Sequence, residues 1–310
     1  MLSRRLLRVK VMQMVYAFHK NGGQSVQEVE KELYHSISKS FELYHWLLLL
    51  LVDIRDYAAN RIENARNKKM PSHEDLHPNT RFIDNVLIAQ LAENKELNRY
   101  VEATGLSWSN QPEFIRELFE VVTKSDLYKA YMEEESQSYD SQKKFVVKLV
   151  EKVIGQYEPL YQQFEEQSIY WNDESEFVVS MVIKTLKEFE KLNGSDQPLQ
   201  KEFKDQEDKA FVSVLFRKSL LNGKSYTELI SKYSEHWDLD RVAFMDIVLM
   251  HIALSEVLEF PLIPVRVTLN EYIEIAKHYS TPKSSVFING MLDKIINHLT
   301  DEGKIKKIDA

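Results

Sequence analysis

Arg4, Arg5 and Arg8, with Tyr16 two turns further on, are the residues whose types and spacing could do chemistry at the start of this chain. Guanidinium groups neutralise phosphate and an aromatic ring stacks on a splayed base, so the set suits single-stranded RNA. The first 27 residues carry these three arginines, Lys10 and Lys20 and no acidic residue, in a chain of formal net charge −8. The positive charge is therefore local, and the rest of the chain is acidic. On a helix, Leu7, Val11, Met14, Val15 and Phe18 form one apolar stripe, which leaves Arg5, Arg8, Met12 and Tyr16 on a face predicted to be free. A solvated basic face beside a half-buried tyrosine gives the same pattern, so the helix alone does not choose between the two.

Other chemistry-bearing patterns resolve into ordinary structure. His73-Glu-Asp-Leu-His77 matches the zinc-protease H-E-x-x-H spacing, which needs both histidines one turn apart on a continuous helix. Pro71 and Pro78 flank it, His77 is biased away from helical geometry, and no third ligand follows. Asn222-Gly-Lys-Ser225 resembles the end of a phosphate-binding loop, but Lys218 stands where that loop needs its first glycine. A C-cap glycine followed by an N-cap serine accounts for it. His251, inside an apolar run, reads as a packed histidine. No constellation for an enzyme is present, and no cofactor or metal site is expected.

The elements that must position the arginines are helices. With 8 Gly, 8 Pro and no Cys in 310 residues, the composition predicts an all-α protein of helical bundles and excludes disulfides and thiolate chemistry; a reducing, cytoplasmic location fits. Ser25 with Glu28, Ser225 with Glu228 and Thr268 with Glu271 each fit a capping box and predict helix starts. Breaks are expected at residues 21–23, 68–79, 193–198, 222–225, 259–264 and 280–285, with helix between them. Trp46–Val52, "WLLLLLV", is too short to span a bilayer and predicts a buried helix, so no membrane association is expected. Lys10 interrupts any signal-peptide core, and Ser3 is the sole serine before Ser25, which argues against a transit peptide.

The C-terminal third carries a family resemblance. Leu239–Phe260 with its "DRV", "IAL" and Glu256, the "PVRVTLNE" entry at Pro264–Glu271, and above all Ser284–Lys294, "SSVFINGMLDK", resemble the last three helices of the NusB family of transcription antitermination factors. The opening "RRLLR" and "QMVY" are similar to that family's arginine-rich first helix. Residues 1–20 and about 238–299 are covered, 205–237 fit less distinctly, and about 40–200 reads as a long helical insertion without counterpart. The expected organisation is an N-terminal helical domain, 1–237, containing the insertion, and a C-terminal NusB-like domain, 238–310.

The resemblance implies a non-enzymatic, RNA-binding protein that recognises single-stranded boxA RNA with the ribosomal protein NusE, within an RNA polymerase antitermination complex acting on ribosomal RNA operons. Its implied RNA contacts are Arg4, Arg5, Arg8 and Tyr16 at one end of the chain and Lys283, Ser284, Phe287 and Asn289 at the other. Leu6, Lys283 and Val286 depart from frequent family residues, although Lys283 still offers charge to phosphate. In the last helix Ile288, Met291, Leu292, Ile295 and Leu299 form the predicted core stripe, with Phe287 about 100° off it. Gly290, in mid-helix, suggests a close approach by another backbone or a ligand, or a tight helix crossing. Two other classes stay open. One is a helical interaction scaffold. The other is an RNA-modification protein, since such domains also occur fused to methyltransferases, although no G-x-G-x-x-G after a strand occurs here.

Overall fold

The computed structural model describes residues 2–22, 25–135, 138–234 and 242–307. Among these the regular elements are α-helices and two short 3-10 turns. Helix α1 (Arg4–Asn21) starts at Ser3, whose hydroxyl accepts from the Leu6 amide at 3.2 Å, and ends at Gly22 with φ +60°. Helix α2 (Val26–Arg66) starts on the predicted capping box: Glu28 accepts from the Ser25 amide at 2.8 Å and Ser25 Oγ from the Glu28 amide at 3.2 Å.

The chain forms two compact units, and neither ends at residue 237. One comprises residues 38–202; the other joins residues 2–37 to residues 203–310. The division differs from the expected 1–237 and 238–310 because α1 packs against helices from the C-terminal third. A chain whose first helix lies in the core of its last domain has no single cut point.

The 38–202 unit holds the remainder of α2 and α3 (His73–Leu76), α4 (Val86–Ala92), α5 (Lys95–Thr104), α6 (Pro112–Lys124), α7 (Asp126–Glu133), α8 (Tyr139–Lys152), α9 (Glu158–Gln167) and α10 (Ser175–Glu188). Its helices are shorter than the sequence suggested. Asn85, Asn94, Ser125 and Ser138 each place a side-chain oxygen on the amides of a new first turn, local caps that cut a continuous apolar pattern into segments. The "WLLLLLV" segment lies within α2, and its Trp46 stacks on Trp108 at 3.6 Å between ring centroids. Helix α3 ends before His77, so the two histidines do not share a continuous helix. Among the described residues no helix is long and apolar enough to cross a membrane.

The other unit holds α1, the first turns of α2, and α11 (Gln206–Leu221), α12 (Gly223–Tyr233), α13 (Phe244–Glu259), α14 (Val265–Tyr279) and α15 (Ser284–Asp301). Helix α13 is its axis: residues 248–257 are buried on every side, with α1, α11, α12, α14 and α15 packed around it. Asp240 and Arg241, at the start of the family-like stretch, lie outside the described residues. In α15 the predicted stripe, Ile288, Met291, Leu292, Ile295 and Leu299, is buried.

Two capping boxes do not form. Helix α12 begins at Gly223, behind Asn222, and Ser225 Oγ donates to the Asn222 carbonyl, so "NGKS" is a near-continuous joint between helices and not a glycine stop with a serine start. Helix α14 begins at Val265, behind Pro264 at the N-cap with ψ 140°, and Thr268 falls one turn inside it. Gly290 meets no neighbour where a Cβ would stand, so no helix crosses there.

Each unit buries a neutral histidine. His45 packs its ring on Tyr100 at 3.7 Å between centroids, and burial lowers its pKa to about 4. His251, with Nε2 3.0 Å from Thr227 Oγ1, is lowered to about 4 by burial and then by the charge of His19. Above the ordinary value of 6.5 both are neutral folded or unfolded, so they add no pH dependence. Below it the unfolded chain binds protons that the folded chain refuses. Stability is therefore expected to fall as pH drops from about 6.5 towards about 4, and His251→Gln to flatten that decline. Thermal melts across that range check it; an equally steep decline in the variant contradicts His251's share.

Candidate nucleic-acid interface

The three arginines of α1 project from a helix clamped between α11 and α13, and each meets a carboxylate. Arg4 donates Nε to Asp208 Oδ1 on α11 at 2.8 Å. Arg5 donates Nε and Nη2 to Glu271 on α14 at 2.9 and 2.8 Å. Arg8 donates the same fork to Glu256 on α13 at 2.7 and 2.8 Å. The Phe211 ring lies 5.4 Å from both the Arg4 and Arg8 guanidinium carbons.

Arg8 is not on a free face. It is 3% exposed and Glu256 is fully buried. Thr268 Oγ1 and Tyr272 Oη donate to the two Glu256 oxygens at 2.8 and 3.0 Å, so each oxygen accepts two hydrogen bonds. Burial by itself disfavours the charge on Arg8, but the Glu256 hydrogen bonds and attraction outweigh it and the guanidinium is held more firmly protonated than usual. Met12, also predicted for the free face, is buried too. The reason is that α1 packs on two sides, whereas an amphipathic pattern assumes one. Arg4 and Arg5 do reach solvent, with side chains 42% and 54% exposed.

Ser284 is likewise internal. It is 1% exposed, and its hydroxyl donates to Asp246 Oδ2 at 2.8 Å while Ser280 Oγ donates to Oδ1 at 2.5 Å. These bonds pin the α14–α15 turn to the first turn of α13. Lys283 beside it is exposed, and Phe287 and Asn289 are partly exposed on the flank of α15.

At the other end of the set, Tyr16 meets Phe244 at 5.4 Å between centroids, and Lys20 Nζ lies 4.5 Å from the Phe244 ring centre. His19 meets the same ring edge-on at 6.0 Å. Phe244 and Asp246 both belong to the first turn of α13. One helix start thus anchors Tyr16 through Phe244 and Ser284 through Asp246, which ties the two sequence-distant halves of the set together.

Sequence reasoning did not single out Phe244, Asp246, Asp208 or Lys20 as site residues, and read Glu271 as a cap and as part of the family-like helix entry. A signal existed for some of them. Asp246 and Glu256 are carboxylates inside an otherwise apolar helix, and buried carboxylates need partners, for which Arg8, Thr268 and the serines were available. Phe244 gave no such signal, being one apolar residue among many.

The fold and this surface define an α-helical protein with exposed cations and half-buried aromatic rings gathered at the start of its central helix. The sequence profile of the NusB family matches residues 176–297, and the chain belongs to that family. Over 103 residues it is 39% identical to the transcription antitermination protein NusB of Salinibacter ruber, a stretch covering 33% of this chain and 64% of that protein. It is 37% identical over 99 residues to the NusB of Natranaerobius thermophilus, covering 32% of this chain and 71% of that one, and 36% identical over 102 residues to that of Koribacter versatilis, covering 33% and 70%. The chain thus spans under two thirds of the Salinibacter relative, and α1 lies outside the profile match. No solved structure matches the chain.

Removing one partner of a buried pair leaves an uncompensated charge, so Arg8→Ala is expected to cost about 3–5 kcal/mol of folding stability. Arg5→Ala, at an exposed pair, is expected to cost under about 1 kcal/mol. Denaturant melts of both variants check the contrast; equal, small losses contradict it.

Proposed function

We propose that this protein is a non-catalytic, cytoplasmic transcription antitermination factor. It binds boxA-like single-stranded RNA together with the ribosomal protein NusE and promotes processive transcription of ribosomal RNA operons within the RNA polymerase antitermination complex. Family membership supports the antitermination role, and the names of its relatives agree with it. The observation that carries the RNA reading is the joining of Tyr16, Lys20 and Phe244 with the Lys283–Phe287 turn at one end of α13. Cations and rings side by side are what an unpaired strand needs, phosphate on one and base on the other.

The working surface in this reading is Arg4, Arg5, Tyr16, Lys20, Lys283, Phe287 and Asn289. Arg8 and Ser284 act through the fold: one fixes α1 and the other fixes the turn that presents Lys283. In this reading the joined 2–37 and 203–310 unit carries the function; the family match begins at residue 176, so it also takes in α10 of the 38–202 unit, and the expected insertion without counterpart, about 40–200, shortens at its C-terminal end.

Replacing Arg4 and Arg5 together with Ala is expected to weaken boxA-like RNA binding and flatten the slope of log K against log[salt] by at most about 1.4, the value for two full contacts at about 0.7 each. Tyr16→Ala and Phe287→Ala are each expected to cost about 1–3 kcal/mol in RNA binding, with small changes in melting temperature. Titrating RNA with and without NusE is expected to show tighter binding in its presence. Unchanged slopes in the arginine variant, or intact RNA affinity in melting-impaired aromatic variants, count against this reading.

A further inference from the structure

Arg4 and Arg5 are the arginines of α1 that reach solvent, yet neither presents an unoccupied fork. Glu271 takes the Nε and Nη2 edge of Arg5 at 2.9 and 2.8 Å, the bidentate edge that a phosphate would otherwise accept. Asp208 takes Arg4 Nε at 2.8 Å. The carboxylates are the less exposed members of both pairs, 19% and 5% against 54% and 42%. They are therefore fixed features of α14 and α11, and the arginines lie along them with their outer edges in water. The Arg5 hydrogen bond holds the Glu271 carboxyl below its ordinary range, so the negative charge persists at neutral pH.

A phosphate arriving at either arginine must share it with that carboxylate or displace it, and in either case it meets like charge at short range. We infer that Glu271 and Asp208 are built-in counter-charges that limit how strongly α1 grips an RNA backbone, and so set how much base contact an RNA must bring in order to bind. The inference rests on the RNA-binding reading above. An RNA offering phosphates alone has nothing to set against the displacement, whereas one that also stacks bases on Tyr16 and Phe287 retains useful affinity. The carboxylates contribute selectivity of this kind without touching a base.

The test uses the full chain with Glu271→Gln and, separately, Asp208→Asn, both near-isosteric. Binding of a short abasic oligonucleotide, which offers phosphates without bases, and of a boxA-like oligonucleotide is titrated by fluorescence anisotropy across a range of KCl concentrations, with circular dichroism of each variant. Each variant is expected to bind the abasic oligonucleotide about 3- to 5-fold tighter, the penalty an exposed ion pair can impose, and to steepen the salt slope by part of the roughly 0.7 of one full phosphate contact, the share that the carboxylate withholds in the wild type. Unchanged affinity and slope in folded variants overturn the inference, as does weaker binding, which would make the carboxylates positioning groups for the arginines. Loss of helical signal in both variants overturns it too, since the carboxylates would then be structural pins. Wild-type protein that binds neither oligonucleotide overturns the RNA reading and this inference with it; wild-type binding with unaltered variants overturns this inference alone.

Discussion

The buried Arg8–Glu256 pair is the constraint on which the unit of residues 2–37 and 203–310 is built. An ion pair taken out of water is tolerated only when its geometry is good and its remaining hydrogen-bonding capacity is filled. Here a two-pronged fork at 2.7 and 2.8 Å supplies the first, and Thr268 and Tyr272 supply the second. Four residues on α1, α13 and α14 thereby have a single mutually satisfactory arrangement. Slipping α1 by one residue along α13 would leave a carboxylate and a guanidinium buried and unmatched, so the pair fixes register as well as proximity.

That register decides what α1 presents. With Arg8 turned inward, Arg4 and Arg5 fall at the rim, where Asp208 and Glu271 meet them, and Tyr16 and Lys20 fall at the far end against Phe244. A second polar node, Asp246 with Ser280 and Ser284, sets the turn before α15 and hence Lys283 and Phe287. Both nodes use a carboxylate of α13, the most apolar helix of the unit, so the helix that forms its hydrophobic centre also carries the polar instructions for its neighbours.

The 38–202 unit is held by different means. Its aliphatic core is reinforced by stacked rings: Trp108 stacks on Trp46, donates its indole N–H to the Trp46 carbonyl at 3.0 Å and lies 5.3 Å from Phe114, while Tyr131 stacks on Phe145 at 3.7 Å. Large rings bury much area per residue, which suits a unit of short helices. Asparagine and serine caps set where those helices begin.

The sequence by itself determined the helical class, the Ser25–Glu28 start of α2, the breaks at residues 259–264 and 280–285, and the core stripe of α15. These follow from local chemistry: turn formers, a capping box and a 3.6-residue period act within a few residues. It also marked α1 and the α15 entry as the interesting places. What it could not determine was which of the marked residues face outward. Periodicity divides a helix into two faces and assumes that only one packs, whereas α1 packs against both α11 and α13, and Arg8 and Met12 go inside with Leu7 and Val11. Thr268 and Ser284 show the same limit: a threonine read as a cap and a serine read as an RNA contact are both consumed by buried carboxylates. The partners Glu256 and Asp246 lie 12 and 38 residues away along the chain, and only the tertiary structure brings them within hydrogen-bond distance.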